Sequence, residues 1–225
     1  MHSKFLYFVL IMCSYIGVAQ NYNAFDSEGK RHGKWQKKYK NSDQLRYKGT
    51  FDHGKEVGTF KFYKPSSGEQ PTAVKIFSKA TDTVSVQYFT NKGKVISEGK
   101  MIGKERVGLW KYYHKNSEKI MMTEEYESGV LNGQQLTYFE NGQLTEKITY
   151  TKGQRQGKRI VYSKEGLVIK EFTYLNDKLH GTTKYYNTDG TLKIEGVYKK
   201  DRKNGIWNYY ENGKLVEQKL FPLKK

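Results

Sequence analysis

Gly133-Gln134-Gln135-Leu136-Thr137-Tyr138-Phe139-Glu140-Asn141-Gly142-Gln143-Leu144-Thr145-Glu146-Lys147-Ile148-Thr149-Tyr150 reads as one β-hairpin. Gln134, Leu136 and Tyr138 alternate with Gln135, Thr137 and Phe139, the two-residue period of a strand. Asn141-Gly142 predicts a tight turn, because both residues tolerate positive φ. Leu144, Glu146, Ile148 and Tyr150 point to one face of the return strand, and Lys152-Gly153 begins the link onward.

The same pattern recurs outward in both directions. Glycines open a strand-like segment at Gly33, Gly58, Gly108, Gly133, Gly157, Gly181 and Gly205, with gaps of 25, 50, 25, 24, 24 and 24 residues. The long gap hides a degenerate copy with Thr83 in the glycine's place. An aromatic follows five residues on, at Tyr63, Tyr88, Tyr113, Tyr138, Tyr162, Tyr186 and Tyr210, with Tyr39 shifted by one. Next comes an aliphatic: Leu45, Val95, Ile120, Leu144, Val168, Leu192 and Leu215. The last column holds Phe51, Met101, Tyr126, Tyr150, Tyr174, Tyr198 and Phe221. Asp189-Gly190 and Asn212-Gly213 repeat the turn.

Self-similarity at a fixed short period marks a repeat architecture. The expected fold is all-β: an elongated single-layer antiparallel meander of about eight tandem β-hairpins of 24–25 residues. Strand spacing gives such a sheet a run of roughly 70–80 Å. No sequence is left over for a second layer, so stability should come from cross-strand ladders, each tyrosine column stacking on its neighbours. Arrays of this kind need protected ends. Residues 20–31 are expected to cap one end of the array at 32–221, and Pro222 to stop pairing before the basic tail at 222–225. Pro65, Ser66, Ser67, Gly68 and Pro71 predict a loop or kink near residues 64–72.

Composition agrees with this reading. Hydrophobic residues are 36% of the chain but aromatics 15%, with 19 Tyr, 22 Gly and 3 Pro. Few aliphatics and many tyrosines suit strands with a wet face, where a ring offers an apolar body and a polar tip. Residues 1–19 differ: His2 and Lys4, then an apolar run from Phe5 through Cys13, then Gly17-Val18-Ala19. This is the pattern of a secretory signal peptide cut before Gln20. It predicts an exported protein, periplasmic or extracellular and associated with the cell envelope. Cleavage would remove the one cysteine, leaving neither a disulfide nor a cysteine metal site.

Gly108-Leu109-Trp110-Lys111-Tyr112-Tyr113, followed by Gly129-Val130-Leu131-Asn132-Gly133, resembles MORN repeats (membrane occupation and recognition nexus). Gly205-Ile206-Trp207-Asn208-Tyr209-Tyr210-Glu211-Asn212-Gly213-Lys214-Leu215 is most similar to the bacterial variant of that repeat, the one that also builds YwqK-like antitoxin proteins. The resemblance covers residues 32 to about 221. It implies an elongated single-layer β-sheet used for protein or lipid contacts, without catalysis of its own. An export signal departs from a cytoplasmic antitoxin.

Nothing in the sequence assembles a catalytic centre, a cofactor motif or a metal-ligand spacing. His32 and His180 occupy a repeat column six copies apart, and His53 and His114 stand alone. Glu98, Glu171 and Glu195 share a repeat position and read as a surface row paired with lysines such as Lys170 and Lys193. Gly153 to Arg159 lacks the ending of a phosphate loop and reads as a repeat turn. The net charge of +17 is spread along the chain, and no arginine-rich helix or base-stacking signature suggests nucleic acid. The expected partner is an unidentified protein, with anionic lipid or glycan as the alternative and a toxin as a third. Positions two and four after each glycine vary, and they face away from the constant tyrosine. They nominate Phe60, Phe62, Trp110, Tyr112, Tyr185, Trp207 and Tyr209 as docking residues, in exposed patches around Trp110–Tyr112 and Trp207–Tyr209. Export is tested by intact mass: secreted or periplasmic protein should begin at Gln20, and a soluble cytoplasmic form retaining Met1 would contradict the reading.

Overall fold

A computed structural model describes residues 21–222. Residues 1–20, which hold the expected signal segment and Cys13, and residues 223–225 lie outside the described residues. The strands are β1 (Ala24–Phe25), β2 (Arg31–Lys38), β3 (Leu45–Asp52), β4 (Lys55–Phe62), β5 (Ala73–Phe77) and β6 (Thr83–Phe89). They continue as β7 (Val95–Ile102), β8 (Glu105–Tyr113), β9 (Ile120–Glu127), β10 (Val130–Tyr138), β11 (Leu144–Thr151) and β12 (Gln154–Tyr162). The last are β13 (Val168–Leu175), β14 (Lys178–Leu179), β15 (Gly181–Tyr186), β16 (Leu192–Lys199), β17 (Arg202–Glu211) and β18 (Lys214–Phe221). Each pairs antiparallel with the next in chain order, in one open sheet. The short β14 and β15 share β13 as partner and are two parts of one strand. Among the described residues there is no helix, and the meander of hairpins is as expected.

The repeat glycine has a specific task. Gly58 and Gly108 hold φ +65° and +64°, and open space surrounds a Cβ at either. At each, the pairing between repeats jumps by two residues: Lys48 faces Lys61, but Thr50 faces Val57. Left-handed backbone is easy only for glycine, and here it makes a bulge that re-aims the strand. The degenerate copy proves the rule. Thr83 replaces the glycine, and β5 meets β6 with no shift at all. Side chains beyond Thr83 therefore slip by one. Tyr88 turns to the face of Val84 and Val86, and Phe89 takes the end-of-strand position expected for Tyr88.

The turns divide in two kinds. Most links between repeats, such as Lys152-Gly153 (φ +50° and +81°), which joins Thr151 to Gln154, are two-residue turns with both residues left-handed; at Gly103-Lys104 only the glycine is, and the link from β5 to β6 is longer. Inside the repeat, Asn141 is not left-handed. Phe139 N–H donates to Gln143 O (2.8 Å) and Gly142 N–H to Phe139 O (2.9 Å), with only Gly142 at positive φ (+88°). This is the longer hairpin loop that ends in a glycine bulge, and Asp189-Gly190 repeats it. The two-residue reading of Asn-Gly holds only at Asn212-Gly213, where both residues are left-handed and Glu211 pairs with Lys214.

Residues 63–72 form the expected loop, and β4 still pairs with β5 across it. At the start of the array, Asn23 N–H donates to Lys34 O (2.9 Å) and Asn23 Oδ1 accepts from Gln36 N–H (2.9 Å). Residues of this segment thus cover the free edge of β2, as an end cap should.

The sheet is a single layer, yet Phe60 and Trp110 are fully buried and Trp207 is 1% exposed. The reason lies one strand back. Gly49, Gly99 and Gly196 sit directly under these rings: a Cβ at each would come within 2.4, 2.4 and 2.3 Å of Phe60, Trp110 and Trp207. The ring lies flat on glycine backbone. The indole N–H then reaches the next carbonyl, Trp110 Nε1 to Lys100 O (3.0 Å) and Trp207 Nε1 to Val197 O (3.2 Å). Rings from the neighbouring strands close edge-on: Tyr126 on Trp110 (6.5 Å), Tyr198 and Phe221 on Trp207 (5.2 and 6.0 Å). Stacking therefore runs along this ring face and not through the constant tyrosine column.

Gly99→Ala and Gly196→Ala should each lower stability by about 1–3 kcal/mol, the cost of overpacking. Lys100→Ala, on the opposite face, should change it by no more than about 0.5 kcal/mol. Urea unfolding of the three variants is the check.

Candidate binding faces

The seven docking candidates fall on the ring face, and the structure does not expose the main ones. Phe60, Trp110 and Trp207 are buried on the glycine seats, while Phe62, Tyr112, Tyr185 and Tyr209 are half-buried beside them. The two exposed aromatic patches are thus not there. Cations seal the rings further. The Arg106 guanidinium lies 4.4 Å from the Trp110 ring centre, the Lys203 ammonium 4.1 Å from that of Trp207, and Arg31 4.4 Å from that of Phe51. A ring quadrupole attracts such a cation, so part of the basic excess serves packing.

A closed polar network fills the place beside Trp110 where three other copies have Gly49, Gly99 and Gly196. Glu124, opposite Trp110 in the register, is 7% exposed. Its carboxylate accepts from Tyr112 Oη (2.6 Å), Tyr126 Oη (2.7 Å) and Gln135 Nε2 (2.7 Å). Arg106 Nη1 donates in turn to Tyr112 Oη (2.7 Å) and Tyr126 Oη (3.1 Å). Burial, then the Glu124 carboxylate, pushes the Tyr112 phenol far up. Tyr112 is a fixed neutral donor, and the network spends its polar atoms on itself. A satisfied network of this kind specifies packing.

The opposite face carries the constant tyrosines and the glutamate row. Tyr113 Oη donates to Glu98 Oε1 (2.7 Å), Tyr186 to Glu171 (3.0 Å) and Tyr210 to Glu195 (2.7 Å). Each of these rungs ties one repeat to the one before it. The ionic partners are Lys111 for Glu98 (3.6 Å) and Lys158 for Glu171 (4.0 Å), not Lys170 or Lys193. Lys170 sits beside Glu171 on the same strand and so points to the other face. Burial, then Glu98, pushes the Tyr113 phenol up to about 12, and burial, then Glu171, does the same at Tyr186.

Exposed aliphatics share this opposite face. Val197, Ile206 and Leu220 are 39%, 55% and 61% exposed. They lie on the consecutive strands β16, β17 and β18: Ile206 is directly opposite Leu220, and Val197 is opposite Asn204. Sequence reasoning missed this patch, because it sought partners among large rings. The usable signal was the first position after the glycine, Leu109 and Ile206, where a strand face otherwise polar turns apolar.

The histidines divide. The His114 ring nitrogen Nε2 donates to Tyr138 O (3.1 Å), a structural contact. His53 does not stand alone: its ring lies 4.8 Å from that of His32, and Nδ1 is 2.7 Å from Asp26 Oδ2.

Residues 131–152, 179–200 and 203–221 match the family model of the MORN repeat variant. These three segments are MORN repeat variants. Each matched segment opens two residues before a bulge glycine and closes at or just past the end of its return strand. Outside the matched segments, Gly58, Gly108 and Gly157 make bulges of the same kind, whereas β6, with Thr83, does not. No curated protein matches the chain. MORN repeats generally mediate protein or membrane-lipid binding, which is compatible with a repeat scaffold.

The rungs give a pH prediction. The Glu98 carboxyl lies below its ordinary value of 4.5 through the hydrogen bond from Gln87, then that from Tyr113. Tyr210, then Asn208, lowers Glu195 from the same ordinary value of 4.5. A carboxylate lowered by folding stabilises fully above its unfolded pKa and loses this as pH falls through the folded value. Tyr113→Phe and Tyr210→Phe should therefore each cost about 1 kcal/mol at neutral pH. The difference from wild type should shrink below about pH 4, as measured by urea unfolding at both pH values.

Proposed function

We propose that this chain is an exported, non-catalytic repeat scaffold that holds a protein partner at the cell envelope. One observation carries the reading. The rings are committed to packing on one face, while the other presents exposed Ile206 directly opposite exposed Leu220, with exposed Val197 on the neighbouring strand. Neighbouring exposed apolar side chains on a strand face mark a contact surface better than scattered ones. The glutamate row and the Glu124 network supply no free acid–base pair, which supports a binding role. An immunity role against a toxin would use the same patch.

The excess of 40 Lys and Arg over 23 Asp and Glu favours a second reading, adhesion to anionic lipid or glycan. Salt separates the two, because exposed charge contacts are screened at high ionic strength. Ile206→Glu and Leu220→Glu, at exposed positions, should leave the fold intact. Both should lose the partner captured from envelope extract by the native chain, and that capture should survive high salt. Sedimentation with anionic vesicles at low salt that vanishes at high salt, unaffected by either variant, would support the lipid reading instead.

A further inference from the structure

Three segments converge at the N-terminal end of the array. Residues 26–30 turn into β2, and Asp26 fastens that turn: its Oδ1 accepts from Glu28 N–H (2.9 Å) and Lys30 N–H (2.8 Å). His32 lies at the start of β2. His53 is the first residue of the β3–β4 turn, at φ +45°, and that turn docks on β2 through Gly54 N–H to Arg31 O (2.8 Å). Asp26, His32 and His53 each place one ligand atom within 4.8 Å of the other two. Asp52 Oδ1 stands at the rim, 3.8 Å from His32 Nδ1 and 4.0 Å from His53 Nε2. Asp52 Oδ2 is 3.5 Å from Lys79 Nζ.

The repeat does not need imidazoles here. In other copies the residue in the His32 column accepts from the turn N–H with an amide oxygen: Asn132 from Lys152 N–H (3.1 Å), Gln156 from Asn176 N–H (3.1 Å). His32 Nδ1 stands in the same relation to His53 N–H, at a long 3.5 Å. The His53 column holds Ser128, Lys152, Asn176 and Lys200, all left-handed. One copy has histidine at both positions, and it is the one that receives Asp26. The Asp26 side chain is only 8% exposed and already fixed by backbone donors, whereas His32 and His53 are 47% and 65% exposed and free to adjust.

We propose that His32, His53 and Asp26 form a binding site for a divalent transition-metal ion of the zinc class, with Asp52 as a further oxygen donor. Two neutral imidazoles with carboxylate suit zinc, copper or nickel, and calcium and magnesium prefer all-oxygen shells. Zinc bonds of roughly 2.0–2.1 Å place tetrahedral ligand atoms about 3.4 Å apart. The observed spread therefore needs only a small inward rotation of the exposed rings. Backbone donors on Asp26 are the outer support such a ligand requires. The ion would join the N-terminal cap to the first two repeats.

The repeat itself supplies the test variants. His32→Asn and His53→Asn install residues that other copies carry at those positions, so both should fold, with an unchanged circular dichroism spectrum. The probe is zinc chloride, titrated calorimetrically into full chain purified without a polyhistidine tag. The wild type should take up one ion per chain, undisplaced by excess magnesium or calcium. Each folded variant should bind at least tenfold more weakly. No uptake by the wild type, or uptake that both variants retain, would overturn the site.

Discussion

A ring laid flat on glycine backbone is the contact on which the rest of this structure depends. A one-layer sheet has no second layer to bury its side chains against. Gly49, Gly99 and Gly196 solve this by offering bare backbone to Phe60, Trp110 and Trp207 on the next strand. The indole gains a dry seat, a carbonyl for its N–H, edge-on neighbours and a cation above. Because the seat and the ring belong to successive repeats, the core is made of junctions between copies. Cohesion therefore passes from neighbour to neighbour, as expected of a linear array.

The two faces divide the work. Rings and cations on one side bury the bulk of the apolar surface. Tyrosine–glutamate rungs on the other side lock successive repeats together, and leave small aliphatics exposed between them. Where a glycine seat is missing the substitute varies: Glu124 is polar and internally satisfied, whereas Ile148 is apolar and buried. The exposed apolar side chains thus lie on the face away from the glycine-seated rings.

Much of the fold was legible because a two-residue strand period and a 24–25-residue repeat survive in one sequence. The glycine column, the hairpins and the loop near residues 64–72 all follow from local chemistry. What escaped depends on contacts between strands. Gly99 and Trp110 lie eleven residues apart, as do Gly196 and Trp207, yet only the bulge register brings ring over glycine. Counting from Thr83 placed Tyr88 on the wrong face, since losing the bulge shifts every later side chain by one. Likewise His32, His53 and Asp26 share no sequence motif. They meet because the turn that closes the first hairpin rests on that hairpin's opening strand and an end cap folds over both.

Solvent access to the tryptophans tests the central claim, that the ring face is the core. Iodide quenching of single-tryptophan variants retaining Trp110 or Trp207 measures it directly. The account predicts that emission from each is blue-shifted and scarcely quenched in the folded chain, and becomes fully quenchable in urea. Quenching of either residue in the folded chain to the level of free tryptophan would contradict it.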